Sequence, residues 1–282
     1  ELLSENAQFL ILNGYAARIS GASLAGLLGQ ALTGRGGRID WGELTLAGEE
    51  MLNTVRLLDD VWSRFESVID DLKGLQRGRL RVALVSTARY FLPRMLGNFC
   101  RRFPEIDIAM EITDRDRLVA RMRGNQDDLY IMLYPPEELE VVSYPLLDNE
   151  LVVIAALGHW AAGQSLELSA LAGERFILRE VGSGSRRTID THLQAIGLKL
   201  DVELTLNSNE AICDLVASGM GPAVLSRHAL PADPASGGLC VLDINGFPLR
   251  KPWRAVHLKS KILSLPARAF LDHLLLDANS PR

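Results

Sequence analysis

Hydroxyl, amide and guanidinium side chains follow three apolar segments that are predicted to be strands. Ser86 and Thr87 follow RVALV, residues 182–188 follow FILRE, and residues 207–210 follow ELTL. Ligands of open α/β sheets bind at the carboxyl ends of strands, where helix N-termini expose unpaired amide groups. Arg186 or Arg187 could add a two-pronged guanidinium for a carboxylate or a phosphate. Together the three segments predict a cleft that binds an anion.

Each of the three segments also fits a purely structural role. Residues 207–210 match the Asn-x-x-Glu pattern of a helix capping box, and serine or threonine at the start of a helix is usually a cap. GSGSRR lacks the GxxxxGK[ST] order of a nucleotide-binding P-loop. The sequence has no HExxH spacing, Cys/His cluster or GxSxG elbow. We therefore predict no enzymatic activity, no metal site and no cofactor.

Bulk properties limit the class of protein. A chain of 282 residues is long enough for two or three domains, and its net charge of -5 requires any contact with nucleic acid to come from a local basic patch. No apolar run is long enough for a membrane span, and the apolar start lacks the basic leader of a signal peptide. Cys100, Cys213 and Cys240 lie far apart, as reduced thiols do. These features predict a cytoplasmic protein without a membrane partner.

Residues 49–75 contain no proline, and no glycine before Gly74, and their apolar residues recur every seven positions. A second set is offset by three, which is the pattern of a two-chain coiled coil. An amphipathic helix lying on its own domain would show a similar periodicity. We favour a dimerising linker helix. Its stripe consists of Met51, Leu58, Val61, Phe65, Val68 and Leu72.

After Gly78 the predicted elements alternate between strand and helix in two series, one before and one after the apolar segment at 145–156. This alternation is typical of a largely parallel sheet with helices on its faces. The sequence therefore predicts an α/β fold with two lobes of similar size and a cleft between them.

Several segments resemble the LysR-type transcriptional regulators. They are LTLAGEEML, LKGLQRGRLRVAL, RFPEIDIAMEI, PLLDNELVVIAA, LAGERFILREVGSGSRR, SNEAICDLVASGMGPAVLS and GFPLRKPWRAVH, in the order and spacing of that family from Leu44 onward. REVGSGSRR and GFPLRKPW are most similar to the subgroup that controls carbon-fixation genes and senses phosphorylated or other anionic metabolites. The resemblance implies a winged helix-turn-helix at 1–48, a linker helix at 49–77, and a periplasmic-binding-protein-like effector domain.

The resemblance also implies where the effector binds. Lobe I would contain 78–153 and 256–282, and lobe II would contain 154–255, with a hinge near 152–155 and 254–256. Closure of the cleft on a ligand would reorient the lobes and the DNA-binding domains. The implied effector-binding residues are Ser86, Thr87, Gly182, Ser183, Gly184, Ser185, Arg186 and Asn209.

The first forty residues match the family least well. Arg18 is the only basic residue before Arg35, although phosphate neutralisation by basic residues supplies most DNA affinity. The winged helix-turn-helix is therefore predicted to be altered or incomplete. Ser20 and Ser23 are assigned to its recognition helix, and Arg35 and Arg38 to a turn that contacts phosphates.

The resemblance predicts a DNA-binding regulator that works as a homodimer or homotetramer. Its predicted partners are double-stranded promoter DNA and a small anionic metabolite, either phosphorylated or carboxylate, with RNA polymerase as a further candidate. Three alternatives stay open: a solute-binding protein of the same two-lobe fold, an enzyme on that fold, and a regulator-like dimer with a degenerate head that acts through an intact relative. The heptad helix favours a regulator, because monomeric solute-binding proteins have no use for it.

Overall fold

The computed structural model describes residues 78–279 and, before them, five separate positions: Thr54, Leu58, Val61, Trp62 and Phe65. The chain divides into two units, Glu1–Ser63 and Arg64–Arg282. The fold presented below belongs to the second unit.

Eleven strands and five α-helices make up the described part of this unit. The helices are α1 (Leu92–Arg102), α2 (Arg115–Arg123), α3 (Gly184–Ile196), α4 (Asn209–Ala217) and α5 (Leu265–Asn279). The strands are β1 (Gly78–Val85), β2 (Ile106–Thr113), β3 (Leu129–Met132), β4 (Val141–Ala156), β5 (Ser165–Leu166), β6 (Arg175–Arg179), β7 (Asp201–Leu206), β8 (Ala223–Ser226), β9 (Leu239–Val241), β10 (Asp243–Ile244) and β11 (Leu249–Leu258). Short 3-10 helices lie at Ser86–Tyr90, Leu168–Leu171, Arg227–Ala229 and Pro234–Gly237.

Nine of the described strands form one sheet in the order β2-β1-β3-β11-β4-β8-β6-β7, with β9 paired to β4 off this path. The pairs β1–β2, β1–β3, β6–β7 and β6–β8 are parallel, as the alternation of strands and helices predicts. The pairs β3–β11, β4–β11, β4–β8 and β4–β9 are antiparallel. The sheet is thus parallel within each lobe and antiparallel through its middle.

Helices cover both faces of the sheet in each lobe, so each lobe has an apolar cluster on either side. In lobe I, Phe99 and Phe270 are fully buried together on one face, and Met122 lies in the cluster on the other. In lobe II, Phe176 belongs to one cluster and Ile212 to the other. Each lobe therefore has its own hydrophobic core on both faces of its part of the sheet.

Two long strands, β4 and β11, connect the lobes. β4 pairs with β11 from Val141 to Leu151 and then with β8 and β9 in lobe II, while β11 contacts β3 of lobe I only from Arg254 onward. The crossing therefore lies near residues 148–151 and 249–253. The hinge predicted from the resemblance lies close by, at 152–155 and 254–256.

The five separate positions before Gly78 are all helical. Leu58, Val61 and Phe65 of the predicted dimerisation stripe are each at least half exposed, and so is Trp62, which the heptad pattern does not include. The other predicted residues of the head and the stripe lie outside the described residues: Ser20, Ser23, Arg35, Arg38, Met51, Val68 and Leu72.

Candidate functional site

Ser86 and Thr87 lie at the carboxyl end of β1, as predicted. β1 ends at Val85 and the chain turns at once into the 3-10 helix Ser86–Tyr90. Thr87 is buried, whereas Ser86 is half-buried and accepts a hydrogen bond from lobe II. The two hydroxyls thus stand at the edge of lobe I that faces lobe II.

The glycine- and serine-rich loop of lobe II faces this edge. Gly182 has a φ of 96°, a backbone conformation that other residues adopt only at a cost, and it turns the chain into α3. Ser183 caps α3 by accepting a hydrogen bond from the Arg186 amide, 3.1 Å away. The Ser185 hydroxyl is buried in the first turn and has no hydrogen-bond partner among the described residues. A buried hydroxyl without a partner is rare in proteins and suits a ligand.

Asn209 begins α4 at the end of β7, and Ser208 caps this helix. The Ser208 hydroxyl accepts a hydrogen bond from the Ala211 amide, so the predicted capping role of Asn207 is wrong. Ser208 performs this role because its hydroxyl already reaches the first turn. The Asn209 side chain is consequently free to point between the lobes, where it is buried.

Arg179, the last residue of β6, joins these elements and was not predicted as a site residue. Its side chain is only 2 % exposed. Nη1 donates to Asn209 Oδ1 over 2.7 Å, and Nη2 donates to Ser86 Oγ over 3.2 Å. Nε and Nη2 also donate to the two carboxylate oxygens of Glu180, at 2.7 and 2.9 Å. One buried guanidinium therefore contacts predicted site residues from both lobes.

A cluster of four residues closes the cleft beside Arg179, and we call it the clasp: Arg89 and Tyr90 from lobe I, and Asn209 and Glu210 from lobe II. The Tyr90 hydroxyl donates to Glu210 Oε1 over 2.8 Å and accepts from Asn209 Nδ2 over 3.1 Å. Arg89 also forms an ion pair with Glu210. The clasp thus joins the two lobes through polar contacts.

The clasp changes the acidity of its members. Burial alone would raise the pKa of Glu210, but hydrogen bonds from its own backbone, Tyr90, Arg89 and Ser208 hold that pKa at about 2. Burial raises the pKa of the Tyr90 hydroxyl, against the hydrogen bonds from Asn209 and Arg89. Near neutral pH the clasp therefore contains an ionised Glu210 and a neutral Tyr90, which suit the observed hydrogen bond.

A second inter-lobe contact joins Tyr134 of lobe I to Thr188 of α3 in lobe II. The Tyr134 hydroxyl is 2.9 Å from Thr188 Oγ1, and it is the donor because Thr188 donates its own proton to the Gly184 carbonyl. The guanidinium of Arg187 and the ammonium of Lys251 lie 4.5 and 4.8 Å from the centre of the Tyr134 ring. This side of the cleft is accordingly rich in positive charge.

A small recess with a cavity volume of about 10 Å³, which is room for about one water molecule, adjoins this contact. Arg115 lines it, and its Nε is buried without a hydrogen-bond partner among the described residues. The other lining residues are Val85, Met132, Leu133, Tyr134 and Gly184. The recess is thus formed by both lobes and has an unused guanidinium nitrogen in its wall.

The two arginines considered from the sequence have different surroundings. Arg186 donates from Nε to Asp190 and from Nη1 to the Arg179 carbonyl, so it supports the end of β6. The Arg187 guanidinium lies 3.5 Å from Glu137 and contacts Tyr134. The arginine that contacts Ser86 and Asn209 is Arg179. It is the last residue of the apolar strand β6, so the sequence pattern does not single it out as a binding residue.

The groups at this site are suited to binding an anion. Within residues 78–279, no group of three or more histidine, cysteine, aspartate or glutamate side chains could hold a metal ion. None of the described helices is long and apolar enough to cross a membrane. A buried guanidinium, a helix N-terminus and several hydroxyls between two lobes can bind an anion in a dry environment.

This two-lobe domain belongs to a known family of effector-binding domains. Residues 73–278 match the family model described as the LysR substrate binding domain. The chain therefore belongs to the LysR family of transcriptional regulators, as the sequence motifs predict.

Relatives narrow the comparison to regulators of carbon fixation. The HTH-type transcriptional activator CmpR of Synechocystis sp. is 39 % identical over 232 residues, which are 82 % of this chain and 76 % of the relative. The RuBisCO operon transcriptional regulator of Acidithiobacillus ferrooxidans is 39 % identical over 269 residues, 95 % of this chain and 86 % of the relative. These relatives are transcriptional regulators and not enzymes. They confirm the predicted resemblance to the carbon-fixation subgroup of LysR regulators.

A solved structure supports the same assignment. The regulatory domain of CcmR from Synechocystis PCC6803, determined in complex with 2-PG, is 42 % identical and has a TM-score of 0.68. The match covers 72 % of this chain and 98 % of that domain. The mixed α/β two-lobe fold is therefore that of a LysR effector-binding domain.

Proposed function

We propose that this protein is a transcriptional regulator whose cleft binds a small anion on Arg179, between Ser86 and Asn209. The observation that carries the proposal is the buried Arg179 guanidinium, which contacts a residue of each lobe. An anion at this position would bind both lobes at once. Its binding would thus favour one relative arrangement of the lobes over others, and a ligand shifts an equilibrium only through such differential contacts.

The N-terminus of α3 would supply the remaining contacts. The free amides and the dipole of a helix N-terminus favour negative charge, and the unpartnered hydroxyl of Ser185 lies in this first turn. Thr87 belongs to the opposing edge of lobe I. Gly182 and Ser183 would shape the turn, and Arg186 would hold the Arg179 carbonyl in place. We propose these residues as the effector-binding set predicted from the sequence, with Arg179 added.

A small molecule with two negative groups fits this cleft best. Arg179 contacts Ser86 and Asn209, whereas Arg115 lines the recess with Tyr134 and Gly184. Arg187 and Lys251 contact the Tyr134 ring, so a ligand with an anionic group at each end could reach two separate groups of positive charge. The related CcmR domain was determined with 2-PG. We propose 2-PG, or a phosphorylated or dicarboxylate metabolite of similar size, as the effector of this chain.

We propose the predicted domain organisation for the whole protein. A winged helix-turn-helix at 1–48 would contact promoter DNA through Ser20, Ser23, Arg35 and Arg38. A linker helix at 49–77 would form a homodimer or homotetramer through its heptad stripe. Residues 78–153 and 256–282 would form lobe I, and residues 154–255 would form lobe II. The chain would pass from one lobe to the other in β4 and β11.

Effector binding would then change the geometry of the oligomer and so the activity of the promoter. Lobe movement about β4 and β11 would pass to the linker helices and from there to the DNA-binding domains. The protein would act in the cytoplasm, with RNA polymerase as a further partner on the promoter.

A regulator-like dimer with a degenerate head is a second candidate. The scarcity of basic residues before Arg35 favours it, because DNA affinity depends mainly on phosphate neutralisation. Such a protein would bind the same anion in the same cleft and act by joining an intact relative.

The test is fluorescence anisotropy of the full chain on DNA from upstream of its own gene, against a scrambled duplex, at two salt concentrations. We expect specific binding that weakens with salt and an affinity that changes at least about threefold with 2-PG. The Arg179→Gln variant should bind the same DNA and lose the response to 2-PG. Equal binding to scrambled DNA would favour the second candidate, and an unchanged response in Arg179→Gln would refute the proposed site.

A further inference from the structure

Glu180 occupies the edge of Arg179 that an incoming anion would use. Its two carboxylate oxygens lie 2.7 and 2.9 Å from Nε and Nη2, which is the two-pronged geometry in which arginine binds carboxylates and phosphates. The only polar contacts of this carboxylate within the described part of the chain are those with Arg179. The ligand-binding cation of the cleft is thus already neutralised by the neighbouring residue.

Glu180 also lies between Arg179 and solvent. Arg179 is 2 % exposed, whereas the Glu180 side chain is 31 % exposed. Apart from Glu180, the guanidinium donates to Asn209 and Ser86, which fix its position. A molecule that comes from solvent to the Nε edge therefore meets the Glu180 carboxylate first.

We propose that Glu180 is a built-in competitor of the effector, displaced from Arg179 when the anion binds. The inference rests on the proposed function, in which Arg179 receives the anion. A carboxylate on the adjacent residue competes at a high effective concentration, on the order of millimolar or more. The competitor therefore sets a threshold, because an anion binds only when its own contacts outweigh those of Glu180.

The local structure lets Glu180 leave without refolding the loop. Its amide donates to the Leu206 carbonyl over 3.0 Å, and its carbonyl accepts from the Ser183 amide over 3.2 Å, so its backbone is held at both ends. The next residue, Val181, is 79 % exposed and leaves open solvent beside the loop. A change of side-chain torsions alone can therefore move the carboxylate from the guanidinium into water.

A purely supporting role for Glu180 makes the opposite prediction. If Glu180 only orients Arg179 and balances its charge, its removal should loosen the guanidinium and weaken anion binding. If Glu180 competes with the anion, its removal should tighten anion binding. The sign of the change in affinity therefore separates the two roles.

The experiment measures sulfate binding to the full chain by isothermal titration calorimetry, in the wild type and in Glu180→Gln. Sulfate is a dianion at all working pH values, so its charge does not vary with conditions. We expect sulfate to bind Glu180→Gln at least about tenfold more tightly than the wild type. An unchanged or weaker affinity overturns the inference.

Two further variants test the cause of the gain. Glu180→Asp keeps the charge but shortens the side chain by one methylene group, so the carboxylate no longer spans both nitrogens of Arg179. The competitor model predicts tighter sulfate binding in this variant too, and an affinity equal to the wild type contradicts it. Glu180→Asp also keeps the test possible if Glu180→Gln fails to fold.

Glu203→Gln is the matched control, because the Glu203 side chain is 36 % exposed and pairs with Arg175, at the opposite end of β6 from Arg179. It should leave the sulfate affinity unchanged, and a gain as large as that of Glu180→Gln would show a general effect of charge and overturn the inference.

The same titrations separate this inference from the proposed function. If neither the wild type nor Glu180→Gln binds sulfate or 2-PG, both the proposed function and the competitor are refuted. If 2-PG binding requires Arg179 but Glu180→Gln leaves the affinity for sulfate unchanged, the proposed function stands and the competitor alone is refuted.

Discussion

Replacement of Gly184 by alanine should wedge the two lobes apart. A Cβ atom on Gly184, at the start of α3 in lobe II, would lie 2.8 Å from Leu133 Cδ1 and 3.1 Å from Leu133 Cβ in lobe I. Carbon atoms in favourable contact are about 3.5 to 4.0 Å apart. Leu133 is buried, so the added methyl group has nowhere to go unless the side chain turns or the lobes separate.

The cost of this change follows from the overlap. Overpacking in a filled core typically costs about 1 to 3 kcal/mol, or about 5- to 150-fold in an equilibrium constant. Leu133 Cδ1 can rotate away but Leu133 Cβ cannot, so we expect the lower part of this range. If effector binding requires the lobes to meet at Gly184, the affinity for 2-PG should fall about tenfold.

The assay is calorimetric titration of 2-PG into Gly184→Ala, with Gly173→Ala as the matched control. A Cβ on Gly173, in the turn after the 3-10 helix Leu168–Leu171, would meet no atom within 4 Å, and Gly173 has no positive φ that alanine would strain, so this change should not weaken lobe II. Leu133→Val in the Gly184→Ala background should restore part of the affinity, because it removes Cδ1. Equal affinities of Gly184→Ala and the wild type would refute the role of this contact in closure.

Three further predictions concern the clasp and its helix. Tyr90→Phe removes the hydroxyl that joins Asn209 to Glu210. We expect the 2-PG affinity measured by calorimetry to fall about 2- to 12-fold, which is the contribution of one hydrogen bond. An unchanged affinity would exclude a role of the clasp in closure. The pKa of Glu210 is lowered from 4.5 to about 2, so its ionised form stabilises the fold above pH 4.5 and this contribution is lost as the pH falls from 4.5 to 2. The difference in melting temperature between the wild type and Glu210→Gln should shrink over that interval, and a constant difference would contradict the lowered pKa. Burial raises the pKa of Cys213 to about 11, whereas Cys100 is exposed. A thiol reagent at pH 8 should therefore label Cys100 in the native protein and Cys213 only after unfolding. Equal labelling rates of the two cysteines by mass spectrometry would argue against the packing of α4.

The sequence predicts the elements and the strand ends well, because both depend on local patterns. The apolar segments before Ser86, Gly182 and Asn209 are strands, and each is followed by the start of a helix, as the alternation of apolar and polar residues indicates.

The centre of the site could not be predicted in the same way. Arg179 contacts Ser86 and Asn209, which are 93 and 30 residues away along the chain, and no local pattern records such distances. Arginine is rarely buried unless it is paired, and the adjacent Glu180 was the one sequence signal of such a pair. The Tyr90 hydroxyl was missed for the same reason, since its partners lie on α4 of the other lobe.

The sequence alone also does not distinguish a helix-capping residue from a ligand-binding residue at the start of α4. Asn207, Ser208 and Asn209 are all good helix caps, and only the geometry decides which of them bonds the first turn. Because Ser208 does so, Asn209 is available for Arg179 and Tyr90.

The most direct test of the account is the position of a bound dianion in crystals of the full chain soaked with selenate, whose selenium scatters anomalously. We expect an anomalous selenium peak whose surrounding selenate oxygens lie within hydrogen-bond distance of the Arg179 guanidinium and Ser86 Oγ, with the Glu180 carboxylate displaced into solvent. A peak elsewhere in the cleft, or an occupied site with the pair of Arg179 and Glu180 intact, would contradict it.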